Sequence, residues 1–394
     1  MPILHLLTIL LFIYLLPAVL YLFVLAAAGR LGRLPKWSSS PVKTRIAVLI
    51  PSYKEDPVIL HTAAEALKQD YPAFSVTVIA DGLQPETIAR LATMPLRVLP
   101  VQWEKSMKAK SLNAALSRLQ EDNFDIALIL DADNLMSPGC LEKINHAFQA
   151  GRKAVQCHRT AKNRNNAIAI LDAISEEINN TIFRRGQRTL GLSCALIGSG
   201  MAFEFGLLRE IFALPTIQEN PGEDKEVEVQ LIKRNISVEY LEDAYVYDEK
   251  VQRKEVFEKQ RTRWLATQQE NFRLLLAKEM RPVFLKKIYL NKVFEWLLPP
   301  RLLLVILFCL ILSCCTIDAW THFHILSPHW PWWFALTLLY AAALLIAIPP
   351  VFYNGATLRA LLKIPALMLA MLKALLGVKK NKTGFIHTPK EFQG

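Results

Sequence analysis

The sequence predicts an α/β protein, with a mostly parallel sheet in the middle of the chain flanked by transmembrane and interfacial helices. Three observations carry that prediction. From Arg45 onward, short continuous apolar runs alternate with helical runs, the pattern of a parallel sheet covered on both faces. The 52% apolar content of the 394 residues is high for a soluble chain and collects at the two ends. Acidic residues stand at the predicted carboxyl ends of three strands, where such sheets bind ligands.

Taken in order, residues 2–28 carry one histidine, His5, and no Asp, Glu, Lys or Arg. The run exceeds the ~20 residues needed to cross a bilayer. A signal peptide is the alternative, with residues 26–29 (Ala-Ala-Ala-Gly) as its cleavage site, but there is no basic leader and the apolar run is too long. Arg30, Arg33, Lys36, Lys43 and Arg45 follow at once. The positive-inside rule then puts the N-terminus outside the cell membrane (the inner membrane) and the middle of the chain in the cytosol.

In the middle, residues 46–50 read as a buried strand ending at Pro51 and residues 57–69 as a helix. Strands at 74–80, 96–101 and 126–130 and a helix at 108–119 complete the pattern. Toward the C-terminus, residues 302–317 and 332–348 are apolar and long enough to span with their flanks. The loop between them holds Trp320 and Trp330, and with Trp332 and Trp333 these form an interfacial belt. Residues 356–376 place Arg359, Lys363 and Lys373 near one side of a helix that Pro365 interrupts, a pattern of lying in the interface as much as spanning. The expected organisation is therefore a transmembrane helix at 1–29, a cytosolic domain at 44–278 and an interfacial helix at 279–300. Two transmembrane helices at 301–350, an interfacial or third spanning helix at 355–378 and a cytosolic tail at 379–394 follow.

The net charge of +11 rims the membrane ends and faces anionic lipid. No basic run interleaved with aromatics forms a nucleic-acid module, so no nucleic-acid partner is expected. Six scattered cysteines without CxxC spacing read as reduced and structurally ordinary.

The polar motifs follow the strands. Asp131 and Asp133 lie one residue apart after the apolar strand at 126–130. If strand geometry persists both carboxylates point the same way, an arrangement suited to a hard cation, Mg²⁺ or Mn²⁺, shared with phosphate oxygens. Asp81 can accept from a nucleotide base, or simply form an Asp-Gly turn. Lys108 opens a helix, where a positive charge is unfavourable unless an anion sits there. Glu223 and Asp224 precede a helical run and either cap it or supply a general base for an acceptor hydroxyl. Gln260, Arg263 and Trp264 share one face of a helix at about 253–278. There Trp264 offers a platform for a sugar ring and Arg263 a fork for phosphate, or the helix is merely amphipathic.

These motifs, in this order, resemble the membrane-integrated family 2 glycosyltransferases: cellulose synthase, hyaluronan synthase and bacterial poly-N-acetylglucosamine synthase. Residues 50–55 (Ile-Pro-Ser-Tyr-Lys-Glu) resemble the family's opening Pro-x-Tyr-Asn-Glu, with Lys54 for Asn, and Ala80-Asp81-Gly82 its nucleotide-contacting acids, reduced to one. Lys108-Ala109 with Leu112-Asn113 is similar to the segment near the diphosphate. Asp131-Ala132-Asp133 matches the metal motif, and Gly222-Glu223-Asp224 the Thr-Glu-Asp motif with Gly for Thr. Residues 260–264 match Gln-x-x-Arg-Trp, and Phe385 to Lys390 is similar to the cytosolic tails of such synthases.

The resemblance implies a GT-A-type, Rossmann-like domain and an inverting enzyme that takes a UDP-sugar donor. Pro51, Tyr53, Glu55, Asp81, Lys108 and Asp131 would contact the nucleotide. Asp133, with Asp131, would hold the metal, and Asp224 would be the base. Glu223, Gln260, Arg263 and Trp264 would meet acceptor and diphosphate. The expected product is a growing β-linked polysaccharide. Transfer of one sugar to a lipid-linked acceptor is the alternative, and a nucleotide-sugar-binding partner without catalysis is a third reading. Few membrane segments for a polymer pore leave room for an accessory export subunit.

Overall fold

The computed structural model describes residues 2–321 and 324–377, with the side chains of Arg263 and residues 266–271 left out. The expected cytosolic tail at 379–394 and the Arg263 side chain lie outside the described residues. The chain opens with helix α1 (Pro2–Leu31). It continues through β1 (Ile46–Tyr53), α2 (Asp56–Ala66), β2 (Phe74–Asp81), α3 (Pro85–Ala92), β3 (Arg97–Val101), α4 (Lys108–Arg118) and β4 (Ile126–Ile129). Then come β5 (Leu135–Met136), α5 (Cys140–Gln149), β6 (Ala154–Ala161), α6 (Ala167–Asn179), a π-helical turn at Asn180–Gly186 and α7 (Gln187–Thr189). β7 (Met201–Glu204), α8 (Phe205–Phe212), α9 (Pro215–Gln218), α10 (Glu223–Lys233), β8 (Glu239–Asp248) and α11 (Lys254–Leu275) complete the central domain. The C-terminal part holds α12 (Lys287–Leu297), α13 (Arg301–Thr321), α14 (Trp330–Ala347), α15 (Gly355–Leu361) and α16 (Ile364–Gly377).

Eight strands form one sheet in the order β3-β2-β1-β4-β7-β6-β8-β5. β3, β2, β1 and β4 are parallel, as are β6 and β8, while β7 and β5 run against their neighbours. The continuous apolar strands are explained by burial on both faces. Ile46, Val48 and Ile50 point into a core closed by α2, α3 and α5, and Ala47 and Leu49 into one closed by α4, α8 and α10. Each fully buried Ile, Leu or Val contributes ~1.5–3 kcal/mol, so neither face tolerates a polar substitution in these strands. The strand does not end at Pro51: β1 runs on to Tyr53, with Pro51 opposite Ile79 of β2. Its pairing with β4 stops at Leu49–Ile129, so the missing N–H of the proline breaks no ladder on that side.

Among the described residues three helices, α1, α13 and α14, are long and apolar enough to cross a membrane. They share a core of Leu15, Leu22, Phe308, Trp333 and Tyr340. Trp333 is fully buried and packs edge-on to Phe12 at 5.0 Å, so it is not part of an interfacial belt; Trp320 and Trp332 are 89% and 65% exposed. His5 bonds the carbonyl of His324 at the end of the bundle far from the domain, and Thr181 of the domain bonds the Ala347 carbonyl at the near end. Residues 356–376 form two short helices, α15 and α16, because Pro365 cannot continue a helix and starts a new one. The 279–300 segment likewise divides into a 3-10 turn (Lys278–Val283) and α12, which buries Tyr289, Asn291 and Lys292 against the domain.

Candidate active site

At the carboxyl ends of the strands, acids from two segments, Asp131 after β4 and Glu223 and Asp224 at the start of α10, converge on Lys108, joined by the Gly198 carbonyl. Lys108 is the first residue of α4, and no side chain caps the helix. Its Nζ donates to Asp131 Oδ1 at 2.6 Å and to the Gly198 carbonyl at 2.6 Å, and lies 3.7 Å from Glu223 Oε1. The positive charge at a helix start is thus offset by acids, as the electrostatics of that position require. Burial favours neutral Lys108, but Asp131, Glu223 and Asp224 outweigh it and raise its pKa. Burial also lifts Glu223 to about 7, with Lys108 opposing and Asp224 and Asp131 adding to the rise.

Glu223 and Asp224 are the first residues of α10. The N-cap is Gly222 and no side chain caps the helix. The two acids therefore do not cap it but stand in its first turn, where the helix dipole favours them, and both converge on Lys108. Asp224 lies against Gly198: a Cβ built there would sit 3.9 Å from Asp224 Oδ2. Gly198 and Gly200 both have positive φ, +81° and +62°, a conformation that favours glycine. The Ser199 between them holds the acidic motif: its Oγ accepts from the Asp131 N–H at 2.9 Å and donates to Asn134 Oδ1.

The extended geometry expected for Asp131 and Asp133 does not persist. β4 ends at Ile129 and the two acids stand in a turn. Asp131 faces Lys108, whereas Asp133, 2% exposed, accepts from Asn134 Nδ2 at 3.2 Å. The same amide donates to Asp248 at 3.2 Å. Behind Asp248, Lys250 bonds it at 2.7 Å and pairs with Glu176, which also takes Arg159 at 2.7 Å. Among the described residues no group of three His, Cys, Asp or Glu closes a metal site. The carboxylates of Asp131 and Asp133 are hard oxygen donors of the kind that fit a Mg²⁺ or Mn²⁺ whose shell is completed with phosphate and water.

On the other side, Tyr53 and Asp81 end β1 and β2 in register. Asp81 is buried, which raises its pKa against hydrogen bonds from Ser106 and Ser111 and the charge of Lys54. Lys54 has φ +55°, a left-handed geometry to which asparagine is better suited. Its N–H bonds the Asp81 carbonyl and its Nζ lies 5.2 Å over the Tyr53 ring. Glu55, also buried, precedes α2, and Pro51 lies one strand step further in.

Trp264 is 41% exposed, and the Arg261 guanidinium stacks on its ring at 4.1 Å. Arg261 is fixed by Asp172 of α6 at 2.7 Å. Gln260 keeps a buried Oε1 without a hydrogen-bond partner. The sequence reading missed Arg261, Asn134, Ser199 and Asp248. Only the Gly-Ser-Gly of residues 198–200 carried a local signal, as a turn.

Comparison with known proteins gives the following. No curated protein sequence matches the chain. Among solved structures, a mannosyltransferase from Pyrobaculum calidifontis in complex with GDP-Man and Mn²⁺ is similar over 96% of this chain and all of its own, at 18% identity and a TM-score of 0.57. A glucosyl-3-phosphoglycerate synthase from Mycobacterium tuberculosis, solved with Mn²⁺, UDP and glucosyl-3-phosphoglycerate, covers 61% of this chain and 88% of its own at 15% identity and a TM-score of 0.42. The first likeness shows a GT-A-like α/β fold. A family model, glycosyltransferase-like family 2, matches residues 44–267. That match takes in every strand of the sheet and all the site residues above, and the chain belongs to that family.

Proposed function

We propose that the protein is a membrane-bound, inverting glycosyltransferase that moves a sugar from a nucleotide-sugar donor, a UDP-sugar, to an acceptor held at the membrane surface. The observation that carries this reading is the meeting of Asp131, Glu223 and Asp224 around Lys108, from segments 23 to more than 110 residues apart in sequence. Tyr53, Glu55 and Asp81 line the nucleotide side, and Lys108 offers its ammonium to the diphosphate. Asp131 and Asp133 would hold a divalent cation, which supplies Lewis-acid stabilisation of charge on the departing diphosphate. Asp224 takes the proton of the acceptor hydroxyl. The acceptor oxygen then bonds to the anomeric carbon as the bond to the diphosphate breaks, with inversion. Trp264, 41% exposed and carrying Arg261 over its ring, is the proposed platform for a sugar ring.

A lipid-linked acceptor suits the membrane part best. The three long apolar helices fill their shared interior with Leu15, Phe308, Trp333 and Tyr340, and α15 and α16 lie on the domain side, near α6 and α11. Extension of a β-linked polysaccharide is the second reading, favoured by Gln260-Arg261-Thr262-Arg263-Trp264. The deciding experiment incubates native membranes with Mn²⁺ and a panel of UDP- and GDP-sugars, then weighs the product. One added hexose on lipid is expected, and a high-mass ladder would establish the polymer reading instead. Asp224→Asn should abolish transfer while leaving nucleotide binding intact; retained turnover would remove Asp224 as the base.

A further inference from the structure

A chain of buried polar contacts runs from the membrane anchor to the loop beside Asp224, and the chemistry above does not use it. On α10, one turn after Asp224, Glu228 is 2% exposed. Its Oε1 accepts from the Leu196 N–H at 2.6 Å and from Lys292 Nζ at 3.2 Å. Lys225 donates to Glu228 Oε2 at 3.3 Å and to the Leu196 carbonyl at 2.7 Å. Both backbone polar groups of Leu196 are therefore held by α10. Two residues on, Gly198 supplies the carbonyl that takes Lys108 and the Cα that faces Asp224; the next residue, Ser199, holds Asp131.

The other end of the chain leads to the membrane. Lys292, also 2% exposed, lies on α12 and donates to Glu295 at 2.9 Å. Glu295 accepts from Gln187 at 2.7 Å, and Gln187 reaches the Tyr21 hydroxyl of α1 at 3.3 Å. Tyr21 in turn donates to Asn291 at 2.8 Å. A buried ion pair is a poor source of stability, because an apolar pair of the same shape does as well or better. Its directional hydrogen bonds, however, can fix a loop in one register.

We propose that Glu228 is a positioning residue for sugar transfer: with Lys225 and Lys292 it sets the 196–200 loop against Asp224 and couples that loop to the membrane-docked helices. The inference rests on the reading of Asp224 as the base. Glu228 and Glu295 offset the burial of Lys292 and raise its pKa, and Lys225 and Lys292 offset the burial of Glu228 and lower its pKa.

The test uses the full chain in lipid nanodiscs and compares wild type, Glu228→Gln, Lys225→Met and the double variant Glu228→Gln/Lys292→Met. Hydrogen–deuterium exchange over residues 193–200 and steady-state transfer are both measured. The double variant removes both buried charges, so its melting temperature should recover relative to Glu228→Gln. Its loop should nevertheless exchange faster, and kcat should fall on the order of 10- to 100-fold, the cost of a small misplacement of reacting groups, with the donor KM little changed. Lys225→Met, which leaves the Glu228–Lys292 pair in place, should show the same pattern more weakly. A double variant that regains stability together with wild-type kcat and wild-type loop protection would make the network purely structural and overturn the proposal. Should wild type transfer from no donor, the function reading fails on its own, and loop exchange alone decides: faster exchange in a stably folded double variant upholds the positioning role, and unchanged exchange overturns it.

Discussion

Lys108 shows how one residue converts a local misfit into a site. A lysine at a helix start is unfavourable by itself, by a few tenths to ~1 kcal/mol. Asp131 at 2.6 Å and Glu223 at 3.7 Å reverse that sign. The same crowding has a measurable consequence for Glu223, whose folded pKa of about 7 lies above the ordinary 4.5. Between those values the folded state binds more protons than the unfolded state, so stability falls as pH rises from about 4.5 through about 7 and levels off above. Glu223→Gln carries no such proton and should show a flatter melting-temperature profile. The gap between the variant and wild type should therefore widen in the variant's favour from pH 5 to pH 8 in thermal melts. A gap independent of pH would mean that Glu223 is ionised at an ordinary pKa. At this scale the acids, Lys108 and Trp264 were readable as motifs. Arg261 was not, because nothing local distinguishes it from Arg263 until Asp172 of α6 is brought to it.

At the scale of elements, the docking of α1 on the domain depends on small residues. A Cβ on Gly29 would sit 2.1 Å from the Thr181 carbonyl oxygen, and one on Gly186 2.2 Å from the Leu25 carbonyl oxygen. Both are backbone contacts that cannot turn aside. Arg185 adds a bond to the Gly29 carbonyl at 2.7 Å. The helix therefore meets the π-helical turn backbone to backbone, and Gly29→Leu must push them apart, at a cost of at least ~1–3 kcal/mol. It should lower the melting temperature in micelles. Gly206, in α8 with open space around it, is the contrasting case: Gly206→Ala should stabilise by ~0.4–1 kcal/mol through the unfolded chain. Equal melting temperatures for Gly29→Leu and wild type would show that α1 is not clamped there. β1, β2 and β4 were legible because their apolar runs are buried on both faces, and β3 was read at the sheet edge, whereas β5 to β8 were not read from the sequence. The π-helical turn was not legible either, since it is set by what packs against it as much as by its own residues, whereas the break between α15 and α16 was readable in Pro365.

For the molecule as a whole, the near and far ends of the helix bundle define a direction. His5 and His324 lie together away from the domain, while Arg30, Arg301 and the Ala347 carbonyl lie beside it. With the positive-inside rule, a labelling tag inserted at His324 should react with an impermeant reagent in intact cells. A tag at Gly151, in an open turn of the domain, should react only after permeabilisation. Labelling of both in intact cells would reverse the proposed orientation.

By itself the sequence determined the alternation that makes the sheet, the apolar ends, and which residue types stand at the strand ends, because these follow from nearest neighbours along the chain. Tertiary structure alone decided which acid faces Lys108, that Asp133 turns to Asn134, that Trp333 leaves the interface for the bundle core, and that Glu228 meets Lys292. Those outcomes depend on burial and on partners tens to hundreds of residues away, and no local pattern encodes the distance between them.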